Sequence, residues 1–349
     1  MKSIYYLLLM LVALSSCMES NMEVLSEEDI EPRIVLNAMW ESADTTHTLD
    51  VRRTGLVKTT TIENYTSSLT VNGVGIEPNE RGAYIFRPQP GDEVNVAVQV
   101  GKERVSASAR VPQPVIIEGV DTLHIIKSTD KVFQRSDEHV RFLLHLRLPE
   151  GAEGTQFFRL SYSTLIRTVW NATVKDGHYT DISYDHFWMH DYNYDSDVAL
   201  CENRNQMAEH SDEFAVDIVR SVPNLYSLFS SRCFIDGRYT LTIDVPFREP
   251  YSKDSYVYVR DTRDTYKCDL GYDLKHIFRV LTIPQIEYNY LWSVAALTEM
   301  YDPSDLTSNP PIVPSNIEGG TGIFSISAAA EYSLEENHGL EVKVGDEFH

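Results

Sequence analysis

From Arg33 onward the chain alternates apolar and polar positions with a period of two, the signature of half-buried strands. Arg33 to Met39 reads as a first strand, and short strand-like runs follow at Ser68–Val71 and Tyr84–Phe86. The clearest case is Glu93–Val100, where Val94, Val96, Val98 and Val100 alternate with Glu93, Asn95, Ala97 and Gln99. Gly101-Lys102 turns the chain, and Val105, Ala107, Ala109 and Val111 resume the alternation, which predicts a hairpin with one buried face. Pro112 and Pro114 cannot join a central ladder and close the unit. Strands this short, with turns between them, predict an immunoglobulin-like β-sandwich over residues 31–113.

Residues 114–349 read as a second β-rich domain. Val140, Phe142, Leu144, Leu146 and Leu148 alternate with polar or outward positions, and Phe158, Leu160 and Tyr162 offer a partner strand beyond the Gly151 to Gly154 turn. Tyr239, Leu241, Ile243 and Val245 form another clean alternation, as do Tyr256 and Tyr258. One short helix is predicted at Pro284 to Tyr301, with Ile286, Tyr290, Val294 and Leu297 on a shared face. A last strand is expected around Gly322 to Tyr332. Residues 176–232 are rich in His, Asp and Tyr with little alternation, and read as an irregular insertion. The fold class is therefore mostly β: two β-sandwich domains with one short helix and an irregular insertion in the second.

The first residues do not belong to either domain. Lys2 is followed by an apolar run from Ile4 to Leu14, about the length of a secretory signal core and too short to span a bilayer. Leu14-Ser15-Ser16-Cys17 resembles the lipobox cut by lipoprotein signal peptidase. That resemblance implies removal of residues 1–16 and acylation of Cys17, whose three chains would hold the protein stably on a membrane. Residues 17–30, with four Glu and one Asp after Cys17, suit a flexible tether.

Composition narrows the partners. A net charge of −22 repels phosphate backbones, so nucleic acid is not an expected partner. Cysteines 201, 233 and 268 remain once Cys17 is set aside, and a Cys201–Cys233 bridge would restrict the irregular stretch.

The segment Ile312-Val313-Pro314-Ser315-Asn316-Ile317-Glu318-Gly319-Gly320-Thr321-Gly322-Ile323-Phe324 resembles the closing motif of a Bacteroidota lipoprotein family, domain of unknown function 4249. Ala109-Arg110-Val111-Pro112, Phe234-Ile235-Asp236-Gly237-Arg238-Tyr239 and Ile286-Glu287-Tyr288-Asn289-Tyr290 agree in order. The resemblance implies an outer-membrane lipoprotein facing the cell exterior. It also implies a TonB-dependent β-barrel receptor as partner and a role in nutrient capture; no catalytic residues are known for the family, so none are carried over. Read physically, Gly319, Gly320 and Gly322 allow a sharp turn into the final strand; no Lys-Ser/Thr follows them as a phosphate loop would need.

Three constellations could carry chemistry. Asp191, Asn193, Asp195, Asp197 and Glu202 have the spacing of an EF-hand-type calcium loop, with Ser196 where the loop needs glycine. Calcium is the one cofactor this implies. His178, His186 and His190 invite zinc, but no Glu supplies the base of a His-Glu-x-x-His site. Trp188, flanked by His186 and His190, is the best candidate for ligand stacking. No Gly-x-Ser-x-Gly elbow occurs. The expectation is a non-enzymatic accessory or ligand-binding protein, with a fimbrial or adhesin-type subunit as the alternative and a surface hydrolase behind it.

Overall fold

The computed structural model describes residues 31–55, 59–130, 135–190, 197–201, 204–206, 220–246, 255–268, 270–300, 312–340 and 346–347. The N-terminal part runs through β1 (Ile34–Glu41), β2 (Thr46–His47), β3 (Asp50–Arg53), β4 (Thr60–Thr61), β5 (Thr66–Val71), β6 (Val74–Ile76), β7 (Tyr84–Ile85), β8 (Glu93–Val100) and β9 (Glu103–Arg110). Long strands follow: β10 (Ile116–Asp130), β11 (Arg135–Arg147), β12 (Phe157–Lys175) and β13 (His178–Met189). Then come a single helical turn α1 (Val198–Cys201), β14 (Arg204–Gln206), β15 (Arg220–Val222), β16 (Leu228–Ser230) and β17 (Arg238–Pro246). The chain closes with β18 (Ser255–Val259), β19 (Asp264–Cys268), β20 (Tyr272–Ile283), helix α2 (Gln285–Met300) and β21 (Thr321–His338).

One sheet runs through the whole molecule. Its order is β19-β18-β12-β20-β21-β1-β3-β4, with β13 and β16 also pairing to β12. Two smaller sheets pack on it. The β6-β5-β8-β9 sheet covers the β1 end, and their shared core holds Ile34, Leu36, Trp40, Val94, Val96, Val98 and Val105. The β10-β11-β17 sheet covers the β12–β20 end, over a core of Phe142, Leu144, Phe158, Leu160, Leu241, Ile243, Phe278 and Val280. Alternation decides which side chains enter: Phe158, Leu160, Tyr162, Thr164 and Ile166 of β12 are buried, and the residues between them face outward.

The strand β21 belongs to both halves. Its first residues pair parallel with β1 (Leu36 with Gly322, Trp40 with Ile326), and residues from Ala328 on pair antiparallel with β20. Phe324 and Ile326 enter the N-terminal core together with Ile317, so the core of the 31–113 segment is completed by the end of the chain.

The glycine-rich approach to β21 has a residue-by-residue cause. The Asn316 side chain acts as a surrogate strand, its Nδ2 donating to the Phe324 carbonyl at 2.8 Å and its Oδ1 accepting from the Phe324 amide at 2.9 Å. Glu318 pairs with Ser106 of β9 through both backbone bonds, at 2.8 and 3.1 Å. A Cβ at Gly320 would meet the Ile34 carbonyl at 2.6 Å, and one at Gly322, where φ is +116°, would collide with the Leu36 carbonyl.

Two expectations are corrected. Residues 178–189 are not irregular: they form β13, paired along β12 from Lys175–His178 to Thr164–Met189. The turn between the two strands is Asp176-Gly177 with φ of 51° and 76°, a two-residue hairpin connection whose twist matches the strands. Helix α2 spans nearly the expected residues but buries Leu291, Trp292, Ala295 and Ala296 rather than the Ile286–Leu297 face. The paired alanines let it lie close on Leu281 and Ile283 of β20.

In the first turn of α2, Glu287 is buried and accepts from the Ser325 hydroxyl at 2.8 Å. Burial pushes its carboxyl above the ordinary carboxylate range, with Glu41 adding, against the opposing pull of Ser325 and Arg159.

Replacing Gly322 with Ala is expected to cost about 2–4 kcal/mol, from strain plus the collision, in urea unfolding of the intact protein. A variant as stable as the parent would show that the strand entry tolerates a side chain. For Glu287, the raised pKa means that the folded state holds the proton more tightly than the unfolded chain. Its contribution is complete below the unfolded pKa and is lost as pH rises through the folded one. Glu287→Gln should therefore match the parent near pH 4 and melt at a higher temperature than the parent at neutral pH.

Candidate functional site

Helix α2 covers one end of the outer face of the large sheet, the face turned away from the β10-β11-β17 layer, at Leu281 and Ile283. At the other end of the same face, Leu340 and Leu270 cover a small core of Val169, Ala172, Val174 and Val257. β12 reaches this second core across a register irregularity between Val169 and Asn171, which switches the parity of the side chains that face outward.

Between the two covered ends lies an open trough of about 410 Å³, lined by Leu165, Arg167, His186, Asp273, Leu274, Lys275, Glu335, Glu336 and Asn337. Strand register builds it in two rows. Trp188, Leu165, Lys275 and Glu335 stand side by side across four strands, and His186, Arg167, Asp273 and Asn337 form the next row. Arg167 donates through Nε to Asp273 at 3.0 Å, and its guanidinium lies 5.3 Å from the ring centre of Tyr184. Lys275 pairs with Glu335 at 3.2 Å. Asp273 Oδ1 is enclosed and has no hydrogen-bond partner among the described residues. Trp188 is 55 % exposed at the rim, and its ring lies 6.4 Å from that of His190 at 4° to parallel.

The strand that supplies the floor also carries a buried polar chain on its other face. His276 Nδ1 meets the Tyr162 hydroxyl at 2.7 Å and Thr164 Oγ1 at 3.2 Å, while Nε2 points toward Glu336 at 3.8 Å. The neighbouring His276 imidazole holds the Glu336 carboxyl below its usual range, with His338 adding and burial opposing. Burial pushes the Tyr162 phenol upward.

His186, Trp188 and His190 are thus brought to one strand edge, with His186 in the trough wall and the other two stacked beside it. The sequence reading missed Arg167, Asp273, Lys275 and Glu335. Their signal was present in β20, where Asp273 and Lys275 alternate with Leu274 and His276.

The calcium-spaced residues divide differently. Asp191, Asn193, Asp195 and Glu202 lie outside the described residues, as does Cys17. Asp197 is buried, and its carboxylate is already occupied. Oδ1 accepts from the Ala199 amide at 2.8 Å and from the Tyr239 hydroxyl, and Oδ2 accepts from the Thr242 amide at 2.7 Å. It caps the single turn α1 and satisfies an edge amide of β17. Burial and this bond raise the Tyr239 phenol well above its ordinary value. Of the expected Cys201–Cys233 bridge only Cys233 has a described side chain, and its Sγ donates to the Ser230 carbonyl at 3.0 Å. The Cys201 side chain itself lies outside the described residues.

Fold and site together define a mostly-β protein of two sandwiches built on one shared sheet, with a polar, aromatic-rimmed trough on its outer face. The chain belongs to the family described as Domain of unknown function (DUF4249), whose model matches residues 20–333. No curated protein matches it.

Asp197→Ala leaves three donors without their acceptor and is expected to cost about 2–4 kcal/mol in unfolding free energy. The loss should be equal in millimolar calcium and in chelator. Destabilisation seen only with calcium present would instead make Asp197 part of a cation site.

Proposed function

We propose that this protein is a non-enzymatic, lipid-anchored surface protein that holds an extracellular ligand beside a TonB-dependent outer-membrane receptor. The observation that carries the reading is the trough: two ion pairs and a stacked aromatic pair on a floor of four hydrogen-bonded strands. Such a surface holds a molecule in a fixed orientation, because recognition groups sit on a rigid sheet. The lipobox-like Leu14-Ser15-Ser16-Cys17 supports an anchor, and the acidic tether after it supports reach from the membrane. The family resemblance supports the receptor partner and the outward orientation.

The test is purification of the lipoprotein from its native membranes in mild detergent, with identification of what remains bound. A stoichiometric β-barrel receptor is expected. Elution of the protein alone would remove the transporter from the reading and bring free-standing binding or adhesion forward.

A further inference from the structure

The trough has features that select among ligands. Both of its cations are already matched by carboxylates, Arg167 by Asp273 and Lys275 by Glu335. An anionic ligand would have to displace those carboxylates while approaching a chain of net charge −22. A cationic ligand would meet Arg167 and Lys275. A neutral ligand faces neither penalty. The floor offers a peptide little to bury, since Leu165 is the apolar side chain among those that line it from the outer face.

What the trough does offer is donor and acceptor together in each row. A hydroxyl group both donates and accepts, so it can bridge Arg167 and Asp273, or Lys275 and Glu335, without breaking the charge balance. At the rim, the Trp188 and His190 rings lie at 4° to parallel with their centres 6.4 Å apart. Trp188 keeps 55 % of its surface exposed, whereas Trp40 and Trp292 are buried. An exposed aromatic face beside paired polar groups matches a molecule with one apolar face and an equatorial belt of hydroxyls. Successive rows on the strands are about 6.6 Å apart, so an extended chain of such units laid along them meets one row after another.

We propose that the trough binds a neutral oligosaccharide, with one ring stacked on Trp188 and its neighbours hydrogen-bonded over Arg167, Asp273, Lys275 and Glu335. This inference rests on the reading above that the protein captures a ligand at its surface.

The full lipoprotein in detergent micelles is titrated with neutral gluco-, xylo- and manno-oligosaccharides. Oligogalacturonate and heparin oligosaccharides serve as acidic comparators. Binding is read by calorimetry and tryptophan fluorescence. At least one neutral series is expected to bind saturably, with the acidic series weaker. Trp188→Ala should weaken binding about tenfold or more, Trp188→Phe should retain most of it, and Asp273→Asn should weaken it with the melting temperature little changed. Preference for the acidic series, neutral binding that ignores both Trp188→Ala and Asp273→Asn, or no binding across the panel would each overturn the inference. If the panel fails while the receptor still co-purifies, the sugar assignment falls and the surface-capture reading stands. If both fail, that reading falls as well.

Discussion

Strand β21 has to satisfy two partners of opposite polarity along a single extended run. Over Thr321–Ser327 it lies parallel to β1, and from Ala328 it lies antiparallel to β20. Its core-facing residues accordingly serve two interiors, Phe324 and Ile326 in the first and Ala330, Tyr332 and Leu334 in the second. The approach to the strand therefore leaves no room for side chains, because the preceding turn must pass over the Ile34 and Leu36 carbonyls. Asn316 and Glu318 fix that passage by bonding to Phe324 ahead and Ser106 beside it. The first sandwich is thus closed by residues far downstream, Ile323 bonding Asn37 at a separation of 286 positions, and such topologies fold slowly because loop closure precedes the reward.

A shared sheet also determines where function can sit. Its inner face is covered twice, by the β5-β8-β9 layer and by the β10-β11-β17 layer. Among the described residues, its outer face is covered where an element buries apolar side chains against it, at α2 and at the Leu340 segment. The register irregularity between Val169 and Asn171 is what makes the second cover possible, since it turns Ala172 outward where Asn171 would otherwise face. The trough is the interval between these covers, and its polarity suits a face that no described element covers. Polar residues there need no apolar partner, so the positions are open for recognition.

The legible parts of the sequence were those with one wet face and one dry face. Val94, Val96 and Val98, and likewise Leu241 and Ile243, alternate with solvent-facing neighbours and were read correctly as strands. β13 escaped because its outward residues Tyr184, His186 and Trp188 are large aromatic rings, which erase the apolar–polar contrast. The Asp176-Gly177 dipeptide nevertheless marked its hairpin, and turn chemistry was the better guide there than periodicity. The role of Asp197 could not be read locally, because the Tyr239 and Thr242 donors that claim its carboxylate arrive from a strand about forty residues away. Alternate acidic residues in a polar stretch fit a cation loop and a helix cap equally well until those donors are placed.

The two classes of ion pair on the outer face differ in what they can do. Arg279 and Arg159 converge on Glu41 of β1, where β20 and β12 meet the N-terminal half, and Arg279 also reaches Glu331. Glu41 keeps 23 % of its side-chain surface, against 73 % for Glu335, while Asp273 in the trough, at 20 %, is as shielded as Glu41. Exposed pairs contribute little stability and reorganise at small cost, whereas shielded ones resist separation. The shielded cluster thus serves the junction between the two sandwiches. The exposed Lys275–Glu335 pair can exchange a protein partner for a ligand hydroxyl without loosening the sheet beneath it.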